Sequence, residues 1–180
     1  MNFFYDNLFS ARECESLANE MFALQQSNSL ALDNTMYTNG SMGAYNLQST
    51  LDYANRIEQL IKKNYGNNIR FENTYSRIYR NGNDLKIHTD RPGLDITVSA
   101  CLYSNLDFSW PIYVSNIQVN GRWDEVVVDP ESYKNSYETF HTPVGSGIAC
   151  LGTKSPHWRN RLICSPDQCM VQVFYHWSYI

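Results

Sequence analysis

His88 and Asp90 stand two residues apart in Leu85-Lys86-Ile87-His88-Thr89-Asp90-Arg91-Pro92-Gly93. On an extended strand that spacing projects both side chains from one face, so an imidazole nitrogen and a carboxylate oxygen can reach the same metal ion. His157, in Ser155-Pro156-His157-Trp158-Arg159, sits where a late strand would return beside the first and is the expected third ligand. Two histidines and one carboxylate on one face of an iron leave the opposite coordination positions open, a set that suits Fe(II) and dioxygen chemistry.

The elements that must position these residues fall into two parts. Ser10-Ala11-Arg12-Glu13 reads as a capping box, and Cys14, Leu17, Ala18, Met21 and Phe22 follow at helical spacing, predicting a first amphipathic helix over 11–26. Residues 27–48, rich in Asn, Ser, Thr and Gly, read as a long loop. A second helix is expected from Ser49 or Thr50, with Leu51, Ala54, Ile57, Leu60 and Ile61 on one face and Gly66 as its stop. Strand candidates follow at 69–79, 85–90, 95–103, 111–119, 125–128, 147–151, 157–163 and 169–177, punctuated by Asn81-Gly82-Asn83, Arg91-Pro92-Gly93, Asn120-Gly121 and Ser165-Pro166-Asp167. Two helices ahead of about eight strands predict an α+β, mainly β fold, with the helices packed on one sheet of a double-sheet barrel.

At 180 residues, 43% hydrophobic and 14% aromatic, the chain reads as a single folded domain, 1–180, rather than a disordered one. A net charge of −4 offers no field for nucleic acid, and no stretch approaches the ~20 apolar residues of a membrane helix. Five cysteines with no CxxC spacing and no secretory start point to reduced thiols in a soluble, cytoplasmic protein. Cys150, Cys164 and Cys169 match no zinc pattern.

The order of motifs resembles a known family. Thr74-Tyr75-Ser76-Arg77-Ile78-Tyr79-Arg80-Asn81-Gly82 followed by His88-Thr89-Asp90 is similar to the Tyr-x-x-Gly and His-x-Asp of prolyl-4-hydroxylase-like 2-oxoglutarate/Fe(II) oxygenases. Val144 to His157 resembles their glycine-turned strand leading to the distal histidine, and Asp6 to Glu15 their opening helix. A compact, uncharacterised subgroup with His-Thr-Asp-Arg-Pro, Trp-Pro-Ile-Tyr and Pro-His-Trp-Arg segments is closer still, and all three occur here at 88–92, 110–113 and 156–159. The resemblance implies a double-stranded β-helix, or jelly roll, with Fe(II) held by His88, Asp90 and His157 at one open end. It further implies 2-oxoglutarate and O2 as cosubstrates, succinate and CO2 as products, and hydroxylation of a C–H bond.

Two departures bear on the cosubstrate. The family usually keeps a Lys or Arg about ten residues beyond the distal histidine, where this chain has Asp167, Gln168 and Cys169, and Leu85 stands where a tyrosine is common. A buried dianion still needs a cation. If 157–161 stays extended, Arg159 and Arg161 share the face of His157, and Arg159 is the first candidate. Lys86 shares a face with His88 by the same argument, and Tyr79 is the aromatic expected beside the cosubstrate. Trp110, Tyr113 and Arg91 are expected in the substrate pocket, while Trp158, Thr97 and Ser99 read as ordinary strand residues. His141 precedes the Gly145/Gly147 turn and His176 falls in the last strand, so neither is the expected ligand.

The leading reading is therefore a hydroxylase acting on an amino-acid side chain in a peptide or protein, with a free small metabolite next and nucleobases third. The competing readings are a non-catalytic jelly-roll binding module and a metal-dependent oxygenase or isomerase that takes no 2-oxoglutarate. Segments 27–48 and 103–125 are expected to frame the substrate entrance.

Overall fold

A computed structural model describes residues 1–33, 37–120 and 129–180. Chain order begins with β1 (Phe3–Tyr5), α1 (Ala11–Gln26), β2 (Ala31–Asp33), β3 (Ser41–Tyr45), α2 (Gln48–Leu51) and α3 (Ala54–Tyr65). Then come β4 (Ile69–Arg80), β5 (Leu85–His88), β6 (Ile96–Ser104) and β7 (Ile112–Ser115). A short 3-10 turn at Pro130–Asn135 precedes β8 (Tyr137–Phe140), β9 (Gly147–Cys150), β10 (His157–Arg159) and β11 (Cys169–Tyr179). The strands form a seven-stranded sheet, β1-β9-β6-β11-β4-β3-β2, and a four-stranded sheet, β5-β10-β7-β8. Neighbouring strands are antiparallel throughout, and the two sheets make the double-stranded β-helix.

The helices begin and end as their sequence dictates. Ser10 accepts from the Glu13 amide while the Glu13 carboxylate accepts from the Ser10 amide, closing both ends of the capping box. Gly66 closes α3 with φ at +89°, a conformation that costs any side-chain-bearing residue. The expected second helix is split: α2 is a single turn, and α3 carries Ile57 and Ile61 into the core with no exposed surface. α1 and α3 both lie on the seven-stranded sheet.

β11 runs through the middle of that sheet and is buried on both faces. Val171, Val173, Tyr175 and Trp177 face the helices, and Met170 and Phe174 join Tyr75, Tyr79, Cys101 and Trp110 in the barrel interior. Period-two alternation thus divides one strand between the stabilising core and the site.

The segment 27–48 is not one loop, since β2 and β3 pair with each other and β3 extends the large sheet beside β4. Short edge strands with polar residues give little periodic signal. The strand expected over 157–163 ends at Arg159, and Pro111–Val119 shortens to β7. β1 and β8 were outside the expected set, and the strand expected over 125–128 lies outside the described residues. No helix among the described residues is long and apolar enough to cross a membrane. Truncating Ile57 to Ala should lower stability by about 2–5 kcal/mol, the range for an emptied core site, measured as a reduced urea midpoint with an unchanged slope.

Candidate metal centre

Register builds the centre. β10 pairs with β5 so that His157 lies directly opposite His88, and the two imidazole centroids are 4.4 Å apart. Each ring donates or shares its Nδ1 with a backbone carbonyl two residues upstream, His88 with Lys86 at 2.8 Å and His157 with Ser155 at 3.0 Å. With Nδ1–H donating, Nε2 is left as a lone pair, and both Nε2 atoms stand 3.8 Å from Asp90 Oδ1. All three ligand atoms lie within 4.8 Å of one another, the one such group of three among the described residues.

Asp90 is fixed from behind. Its amide donates to the Gly152 carbonyl at 2.8 Å, and Thr97 Oγ1 donates to Oδ2, so Oδ1 faces the histidines. Gly152 closes the same corner: a methyl group there would sit 2.6 Å from the Leu94 carbonyl oxygen and against Asp90 Oδ2 and Thr97 Oγ1. Burial, and then the neighbouring His157, hold His88 well below the usual imidazole range. Burial opposes charge on Asp90, but the surrounding imidazoles and the Thr97 hydroxyl outweigh it and keep the carboxyl below its normal range. A neutral His88 imidazole and an ionised Asp90 carboxylate are the protonation states a metal ion requires of those two ligands. The donor set, two nitrogens and one oxygen with an open side, fits Fe(II).

That open side faces a cavity of about 290 Å³. Tyr37 stacks on His88 at 4.8 Å, and Tyr75, Arg77, Phe174 and His176 form the wall contributed by β4 and β11. His176 meets Asn73 Oδ1 through Nδ1 at 2.9 Å, and burial lowers its basicity. It takes no part in the ligand triad. Arg91 lies at the exposed mouth. Of the expected entrance segments, 27–48 supplies Asp33, Tyr37, Thr38 and Tyr45 to the cavity, whereas the described part of 103–125 supplies none. Residues 121–125 lie outside the described residues.

Below the centre, Arg159 is 1% exposed and projects into the barrel from the strand of His157. One nitrogen donates to the Trp110 carbonyl, and the guanidinium lies 4.9 Å from the Trp110 ring centroid. Its Nε and Nη2 have no partner among the described residues, nor do the Gln172 amide or the Ser99 hydroxyl. Burial pushes this guanidinium down to about 10. Tyr79 is fully buried, edge-on to Trp110 at 5.0 Å.

Arg159, Trp110 and Tyr79 are buried against one another and do not line the cavity, and three further expected site residues are elsewhere. Lys86 is exposed because β5 carries an extra residue against β10 between His88 and Leu85, and that bulge breaks the alternation. Arg161 is exposed beyond the end of β10. Tyr113 stacks on Trp158 at 5.4 Å within the four-stranded sheet and does not line the cavity. His141 shares a 2.6 Å hydrogen bond with Ser109, away from the triad. All five cysteines are free. Sequence reasoning missed Asp33, Arg77 and Gly152. Arg77 was legible in principle, two residues before Tyr79 on one strand face.

The fold matches solved structures closely while the sequence does not. No family model and no curated protein matches the chain. A prolyl-4-hydroxylase from Pseudomonas putida superposes with a TM-score of 0.70 at 12% identity, covering 97% of this chain and 91% of that one. The viral collagen prolyl hydroxylase from Paramecium bursaria Chlorella virus-1, in complex with 2-oxoglutarate, gives 0.66 at 12% identity over 99% and 96%. The non-haem α-ketoglutarate-dependent epimerase SnoN of nogalamycin biosynthesis gives 0.74 at 12% identity over 99% and 80%. The chain therefore has the fold of the 2-oxoglutarate/Fe(II) oxygenases, prolyl 4-hydroxylases included, and carries an intact His-x-Asp…His triad. Titrated calorimetrically with Mn(II), the protein should bind through this triad, His157→Ala should abolish the heat, and Gly152→Ala should weaken affinity about 10- to 100-fold by displacing Asp90.

Proposed function

We propose that the protein is an Fe(II)- and 2-oxoglutarate-dependent dioxygenase that hydroxylates an unactivated C–H bond. The observation that carries this reading is the convergence of His88, Asp90 and His157 at the open end of the double-stranded β-helix. When bound, Fe(II) and 2-oxoglutarate supply O2 activation coupled to oxidative decarboxylation, giving succinate and CO2. The protein's contribution is to hold, orient and shield. His88 and His157 present lone pairs fixed by backbone carbonyls, Asp90 presents one oxygen fixed by Thr97, and the Tyr37 ring covers the outer face of His88.

Arg159 is the residue assigned to the remote carboxylate of 2-oxoglutarate. It lies on the metal-binding strand, and two of its nitrogens, like the Gln172 amide and the Ser99 hydroxyl, are buried without partners among the described residues. A buried guanidinium with no anion is costly, and a carboxylate taken up in bidentate geometry removes that cost. The substrate reading that best fits this barrel is an amino-acid side chain in a peptide or protein. The prolyl hydroxylases among its structural neighbours support it, while SnoN supports a small-molecule substrate as the alternative.

Anaerobic addition of Fe(II) and 2-oxoglutarate should produce a weak visible charge-transfer band that is absent in His88→Ala, and air should then yield succinate. Neither band nor succinate would overturn this reading in favour of a binding module or of a metal enzyme that takes no 2-oxoglutarate. Arg159→Met should raise the 2-oxoglutarate concentration needed for half-maximal band intensity by about 100-fold, as expected for loss of a buried charge-assisted pair.

A further inference from the structure

A buried cation other than Arg159, the residue assigned to the cosubstrate, lines the cavity. Arg77, on β4, lines the same cavity as the triad and is 9% exposed. Its guanidinium lies 4.9 Å from the Tyr75 ring centroid, 5.4 Å from that of Tyr79 and 5.6 Å from that of Phe174, so its plane is held among aromatic faces. One nitrogen donates to the Tyr79 hydroxyl at 2.8 Å and another to Asp33 Oδ2. Nε is buried and has no partner among the described residues. Asp33 Oδ2 also accepts from the Tyr75 hydroxyl at 2.9 Å, so one carboxylate oxygen serves two donors.

A guanidinium offers five N–H donors in a planar fork, and its natural complement is a carboxylate taken with both oxygens. Asp33 meets only one arm of that fork. If Fe(II), 2-oxoglutarate, Asp90 and Arg159 form a unit whose charges balance, Arg77 and Asp33 balance each other and Arg91 at the mouth remains as an excess positive charge. An anionic group entering the cavity meets attraction at the rim and, in its wall, a guanidinium whose Nε has no partner among the described residues.

We infer that the Arg77 guanidinium, between Tyr75, Phe174 and Tyr79, is a subsite for a carboxylate carried by the prime substrate. This rests on the oxygenase reading, because it assigns the metal and Arg159 to the cosubstrate. The carboxylate can belong to an acidic side chain or to a chain end, and the two sources present the same chemistry to Arg77.

The test is calorimetric, on protein loaded with Mn(II) and N-oxalylglycine so that the cosubstrate position is filled. Two matched pairs separate the sources: acetyl-glutamate amide against acetyl-glutamine amide, and acetyl-alanine against acetyl-alanine amide. The carboxylate of at least one pair should bind about tenfold or more tightly than its amide, the range for a charge-assisted hydrogen bond. Arg77→Met should erase that preference. Because this change strands Asp33, the double variant Asp33→Asn/Arg77→Met, which removes the pair as a unit, should erase it as well. Equal binding within both pairs, no binding up to about 10 mM, or a preference that survives in both variants overturns the inference. So does a loss of N-oxalylglycine binding in Arg77→Met, which would make Arg77 the cosubstrate's partner. Failure of wild-type protein to bind Mn(II) and N-oxalylglycine at all would overturn the oxygenase reading and this one together.

Discussion

The antiparallel pairing of β5 with β10 is the constraint on which the site depends. It sets His157 across from His88, and the turn after β5 then has only to deliver Asp90 to the gap between their Nε2 atoms. A slip of one residue would turn His157 out of the barrel and bring Trp158 in, because side chains alternate faces. The rest of the molecule resists such a slip. His157 also pairs with Val114 on the other side, and β11, buried on both faces, locks the large sheet that carries Thr97 and His176. Helix packing against β4 and β6 therefore supports the metal ligands at a distance, through strand position rather than through contact.

The triad opens onto a cavity lined by Asn73, His176, Arg77 and Asp33, while Arg159, Gln172 and Ser99 are buried outside that lining. Few proteins of this size bury two arginines, because each must find an anion or leave a penalty in the fold. Here one has an internal carboxylate and the other has only a carbonyl and an indole face. That difference separates a residue paired with a carboxylate in the free protein from one with no anion among the described residues.

Much of this was legible in the chain. The His-x-Asp pair, the distal histidine and the capping box depend on local spacing, and local spacing survives folding. Arg159 was legible for the same reason, since two residues from His157 on a strand means one face. Lys86 failed by that very rule, because a bulge in β5 inserts a residue that no periodicity announces. Asp33 was illegible: it comes from a three-residue edge strand in a polar stretch, and only the β2–β3–β4 pairing brings it to Arg77. Gly152 was hidden because its role is the absence of a side chain beside Asp90, visible only once three segments converge.

Arg159 also shapes how the protein lives with its surroundings. A fully buried guanidinium with two idle nitrogens makes the native state less favourable than its apolar packing alone would give. An anion that binds the folded chain and ignores the unfolded one shifts the balance by mass action. Any anion taken up by those two nitrogens would therefore add to the stability of the folded barrel.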